Sequence, residues 1–149
     1  MKPVGAVIRD QDLAVVQPDT SVLEAVQTMA ARQIGAVPVV DGERLVGIFT
    51  ERDLMSRVVA SSRDPARTAI RDVMSTDLVV ADAAESQDVC LRRMQQARVR
   101  HLLVLREGRL AGIVSLRDLL AAEIDDREDT IKLLNAYVHY IPVDLGQKS

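Results

Sequence analysis

Short apolar runs alternate with amphipathic stretches along this chain, in one order that occurs twice. Ala14-Val15-Val16, closed by the turn formers Pro18-Asp19, predicts a short strand. Behind Thr20 or Ser21 as a cap, Val22, Leu23, Val26, Met29 and Ala30 recur on one helical face. Gly35 follows that helix, and Ala36-Val37-Pro38-Val39-Val40 reads as the next strand. Asp41-Gly42 signals a tight turn, Leu45-Val46-Gly47-Ile48-Phe49 a third strand, and Thr50 the start of a second helix. The second half repeats this order. A strand at Leu78-Val79-Val80 precedes a helix over 86–97 with Val89, Cys90, Leu91 and Met94 inward. Strands at Leu102-Leu103-Val104-Leu105 and over 110–114 flank a turn at Glu107-Gly108, and a helix over 116–124 closes the unit.

A shift of 65 positions superposes the halves. Val15 falls on Val80, Met29 on Met94, Val39 on Val104, and Arg44-Leu45 on Arg109-Leu110. Gly47-Ile48-Phe49-Thr50-Glu51-Arg52-Asp53-Leu54 falls on Gly112-Ile113-Val114-Ser115-Leu116-Arg117-Asp118-Leu119. Clustered matches of this kind indicate duplication. One strand–helix–strand–strand–helix unit is too small to bury its own sheet face and helices. The expected fold is therefore α+β, two units packed about a pseudo-two-fold axis with a pair of related clefts between them. The expected divisions are a first unit with its N-terminal lead-in over 1–64, a second over 65–124, and a C-terminal helix and tail over 125–149. Val4-Gly5-Ala6-Val7-Ile8 and Ile70-Arg71-Asp72-Val73-Met74 read as the two lead-ins, and residues 61–66 as a polar linker. The acidic cluster over 125–129 suits the start of a last helix carrying Ile131, Leu134, Val138 and Ile141 and ended by Pro142.

Composition narrows the function classes. Hydrophobic residues make up 48% of the chain, enough for a packed core, whereas aromatics are 2% with no Trp, which leaves no platform for stacked bases. The net charge of −3 gives no pull toward nucleic acid or anionic lipid. The single cysteine, Cys90, sits on an apolar helix face and reads as a buried thiol, and a reducing, cytoplasmic location is expected. No signal peptide and no apolar run of membrane-spanning length is visible. His101 and His139 lack metal-ligand spacing, and no phosphate-binding glycine loop occurs, so neither an enzyme nor a metal site is expected.

Tandem units of this order, with Gly-x-x-[Thr/Ser]-x-x-Asp after the third strand and Gly35-Ala36-Val37-Pro38-Val39-Val40-Asp41 at the second, resemble a pair of CBS domains over about residues 10 to 122. The resemblance implies a regulatory module of the stand-alone type. Its ligand would be an adenosine compound held in the clefts: AMP, ADP or ATP, an NAD-type ligand, or in some members S-adenosylmethionine. It requires no cofactor. It implies that Asp53 and Asp118 hold ribose hydroxyls, that Thr50 and Ser115 touch ribose or phosphate, and that adenine lies on an apolar wall including Ile48, Ile113, Ala36, Val37 and Pro38. Arg100 and His101, leading into a strand, resemble phosphate-binding positions. Arg52 and Arg117 are further phosphate candidates, equally readable as solvated surface. A homodimer is expected through Leu54, Met55, Val58, Leu119 and Leu120, with signalling to a regulated protein or through assembly state.

The same motif has a structural reading. Thr50-x-x-Asp53 and Ser115-x-x-Asp118 have the form of capping boxes at helix starts. An Asp spent on a cap has fewer lone pairs for a ribose, so the alternative is an interaction module with empty clefts. Arg100-His101 tilts the expectation toward the second copy, Gly112 to Asp118, as the better nucleotide site.

Overall fold

The computed structural model describes residues 2–137. In the first half, helix α1 (Val22–Arg32) leads to strands β1 (Ala36–Asp41) and β2 (Arg44–Thr50). Helix α2 (Glu51–Asp53) follows and runs on as a π-helical turn, Leu54–Val59. The second half comprises β3 (Val80–Asp82), α3 (Gln87–Ala97), β4 (His101–Arg106), β5 (Arg109–Ser115) and the long α4 (Leu116–Tyr137).

Local chemistry sets the helix ends. Ser21 caps α1 by accepting from Glu24 N–H, and Ser86 caps α3 by accepting from Val89 N–H. Both helices leave through a non-glycine residue in the left-handed region, Gln33 and Arg98, each at φ 56°. Of the expected inner face of α1, Val22 and Met29 are buried and Val26 is half-buried, joined by Ala25, which was not expected there, but Leu23 and Ala30 are exposed. The 100° step turns both roughly a quarter to a third of a turn away from Met29.

The strand expected at Ala14-Val15-Val16 is a single parallel bridge, Val16 to Val39. Its counterpart β3 starts at Val80, two residues later than expected, and pairs parallel with β4. The hairpins β1–β2 and β4–β5 are antiparallel, and each has a register irregularity at the equivalent place, between Val39 and Val40 and between Val104 and Leu105. Strand alternation then divides the side chains. Val37, Val39 and Phe49 enter the helix-covered core of the first half, and Leu102, Val104 and Val114 that of the second. Ala36, Ile48 and Leu103 face the other way and form a shared core between the halves, with Ile113 packed against it.

The lead-ins cross over. Val4 and Gly5 donate N–H bonds to Glu85 O and Ala83 O, so Val4 and Ile8 complete the second half's core. Ile70 and Arg71 donate to Thr20 O and Pro18 O, and Ile70 and Val73 complete the first half's core. Each lead-in thus serves the unit it does not directly precede. The segment over 61–66 is not a free linker either: Pro65 O accepts from Leu23 N–H and, just beyond the segment, Thr68 O accepts from Val22 N–H, satisfying first-turn donors of α1.

The glycines that open the repeated phrase permit close crossings. A Cβ on Gly47 would lie 2.5 Å from Met74 Sδ and 3.0 Å from Ser75 O. One on Gly112 would lie 2.7 Å from Ile8 Cδ1. The last two expected helices are one: α4 runs through residues 124 and 125 without a break, so the acidic cluster lies mid-helix. Val138, Ile141 and Pro142 fall outside the described residues. Val58 and Leu119, expected at a dimer surface, are fully buried in the chain's own cores, whereas Met55 is 63% and Leu120 45% exposed.

Candidate functional site

At the C-terminal end of β2 a cavity of about 390 Å³ opens between the halves. The first half contributes Gly35, Ile48, Thr50, Glu51, Arg52, Asp53 and Arg57 to its wall. The second contributes Val99, Arg100, His101 and Leu103, and the crossing segment adds Ser75, Thr76, Asp77 and Val79. The Arg100-His101 pair therefore sits opposite the first copy of the repeated motif. The sequence-based expectation had joined it to the second copy, because the two are near in sequence. Leu103 of β4 instead packs with Ala36 of β1 and Ile48 of β2, and the start of β4 lines a cavity with their motif.

Asp53 is the most connected group of this cavity and is only 4% exposed. Its Oδ2 accepts from Thr50 N–H at 3.0 Å and from the Thr50 hydroxyl at 3.1 Å. Asp53 N–H donates to Thr50 Oγ1 at 3.2 Å, completing the capping box. Oδ1 accepts from the Ser75 hydroxyl at 2.9 Å, and Arg57 Nε lies 3.8 Å from it. Arg57 in turn donates to Met74 O at 2.8 Å. Helix α2, the crossing segment and the cap are thereby tied through one carboxylate.

Arg52 and Arg100 bring positive charge to the rim and make no ion pair among the described residues. Burial holds the His101 imidazole below its usual range; the Glu51 and Asp118 carboxylates oppose that shift and Arg100 adds to it. Gly35 leaves room for this group of side chains, since a Cβ there would stand 3.0 Å from Glu51 Oε1 and 3.4 Å from His101 Cε1.

The related cleft on the other side is smaller, about 280 Å³, and its wall includes Gln11, Asp12, Ala14, Arg32, Ala36 and Ile113. Ser115 and Asp118 are absent from that wall. They form their own capping interactions, Ser115 N–H to Asp118 Oδ2 and Asp118 N–H to Ser115 Oγ, both at 3.0 Å. Asp118 is exposed, and Arg117 is exposed and lines neither cleft. Val37 belongs to the first half's core, not to a cleft wall, because alternation turns it away from its neighbours. Pro38 is buried opposite Ile48 in the hairpin and lines neither cavity.

Arg57, Ser75, Thr76, Asp77, Val79 and Leu103 were not expected in the site. Leu103 had a signal, since the repeat aligns it with Pro38 of the candidate wall. Residues 75–77 had none until the lead-ins were seen to cross. Cys90 is fully buried, and burial with nearby Glu85 pushes its thiol up. Among the described residues no group of three or more His, Cys, Asp or Glu could hold a metal ion. No described helix is long and apolar enough to cross a membrane.

Comparison with known proteins agrees with this architecture. The family model of the CBS domain matches twice, over residues 4–60 and 70–125. The CBS domain-containing protein YhcV of Bacillus subtilis is 33% identical over 123 residues, spanning 83% of this chain and 87% of that protein. The crystal structure of the CBS-domain containing protein ATU1752 from Agrobacterium tumefaciens superposes with a TM-score of 0.75 at 34% identity, covering 82% of this chain and 99% of that one. The structure of CBSX2 in complex with AMP superposes at 0.72 with 23% identity, over 85% and 99% of the two chains.

Proposed function

Because this chain belongs to the CBS-domain family, we propose that it is a regulatory module that takes an adenine nucleotide in the cavity at the end of β2, the larger of the two related clefts. The observation that carries this reading is convergence: Thr50 and Asp53 of one half and Arg100 and His101 of the other line a single cavity. Its volume of about 390 Å³ lies within the range of ordinary small-molecule sites.

Each part of a nucleotide finds suitable chemistry there. Ile48, Leu103 and Val79 offer an apolar surface for the base. Asp53 accepts a ribose hydroxyl at Oδ1 by exchanging it for the Ser75 hydroxyl, leaving Oδ2 on the cap. Arg100, His101 and Arg52 meet phosphate oxygens, arginine through its forked donors. Glu51 and Asp77 line the same wall and limit the phosphate charge it welcomes, which favours AMP over ATP. The AMP in the CBSX2 complex, a protein of the same fold, supports this ligand class.

A ligand that touches both halves couples them, and the signal is its differential affinity for two arrangements or assemblies. The output passes to a partner protein or to assembly state. A homodimer forms through the exposed apolar residues Met55, Val59, Leu120 and Ile124. One observation favours the rival reading of empty clefts: both oxygens of Asp53 already have partners. Calorimetric titration with AMP, ATP and NADH separates the two. Binding of AMP ahead of the others supports the sensor, and no heat or thermal shift with any of them leaves the interaction module.

A further inference from the structure

We infer that Gln11 stoppers the second cleft, so that this chain takes one nucleotide, in the larger cavity; the inference rests on the adenine-nucleotide reading above. The two clefts are built on equivalent strand edges that are closed in different ways. At the first, Ile48 N–H donates to Ser75 O at 2.9 Å and Ser75 N–H donates to Ile48 O at 2.8 Å, a backbone bridge. At the second, a side chain replaces the backbone. Gln11 Nε2 donates to Ile113 O at 2.8 Å, and Gln11 Oε1 accepts from Ile113 N–H at 2.9 Å. Gly112 allows the carboxamide to seat there, since a Cβ would lie 2.7 Å from Gln11 Oε1.

Held by both bonds, the Gln11 side chain lies in the wall of the second cleft and takes up space there. A ligand that needs that space must displace the carboxamide and break its two hydrogen bonds, whereas the main-chain bridge of the first edge leaves a cavity of about 390 Å³ beside it. The cleft is further narrowed by Arg32, which donates to Asp12 O at 3.0 Å and to Asp12 Oδ2 at 3.3 Å. The hydroxyl and carboxylate of the second motif do not line it. In the larger cavity the equivalent edge is closed by main chain that is itself the wall, which no side-chain substitution removes.

The test is calorimetric titration of the full chain with AMP. The natural sequence is expected to bind one AMP per chain. Gln11→Ala frees the Ile113 edge, and a second, weaker site is expected to appear while the first keeps its affinity within about twofold. In Gln11→Ala combined with Asp53→Asn, the second site alone is expected to remain. Two sites in the natural sequence, or one site in both it and Gln11→Ala, would overturn the assignment to Gln11 and leave the nucleotide reading standing. Absence of AMP binding in both proteins would overturn the two together.

Discussion

At the scale of single residues, Asp53 and His101 govern the cavity in opposite ways. The carboxylate oxygens of Asp53 are taken up by its cap, Ser75 and Arg57. His101 is kept toward its neutral form by burial. Above about pH 6.5 the imidazole is neutral in both folded and unfolded chains and costs no stability. As pH falls through that value the unfolded chain takes up the proton first. Folding stability is expected to drop until the folded group protonates as well, then level off. Urea midpoints measured from neutral to mildly acidic pH should show this slope, and His101→Gln should flatten it. Bound AMP should reduce it too, because a phosphate beside the ring favours the imidazolium.

At the scale of elements, the hairpins depend on the crossing segments as much as on their own sequences. Gly47→Ala would drive a methyl into Met74 and toward the Ser75 carbonyl. The Met74 side chain can swing aside, but the backbone bridge at Ser75 has to shift. A loss of about 1–3 kcal/mol is expected, read as a lower denaturant midpoint with an unchanged slope. The element order and both hairpin turns were legible in the sequence, and the α1 cap was narrowed to Thr20 or Ser21, because each depends on local periodicity and local turn chemistry. What escaped it was non-local. The exchange of Val4–Ala6 and Ile70–Asp72 between halves leaves no mark on periodicity. Val37 passed as a wall residue because its neighbours Ala36 and Pro38 share its apolar character, though the strand turns it to the other face. The merging of the last two helices was hidden by an acidic run that suits an exposed helix middle as well as a start. Arg100 and His101 were singled out by type and joined to the second copy of the motif, whereas they line a cavity with the first, since sequence distance says nothing about which half a strand faces.

At the scale of the whole molecule, the crossed lead-ins make the halves interdependent. Residues 65–124 alone lack Val4 and Ile8, which close the second half's core, while retaining Ile70 and Val73, which belong to the other. That fragment is expected to be unfolded by circular dichroism and to gain structure once residues 2–8 are supplied. The proposed homodimer sets the exposed apolar residues of α2's continuation and α4 against a second copy. Met55→Asp with Leu120→Asp is expected to convert a dimer to a monomer in sedimentation velocity, without lowering helix content. The halves also share one proposed ligand, and its position is the central claim. It is tested most directly by titrating AMP into Asp53→Asn and Asp118→Asn in parallel. Binding should be lost, or weakened by at least about tenfold, in the first and kept within about twofold in the second. Loss in Asp118→Asn with retention in Asp53→Asn would contradict it.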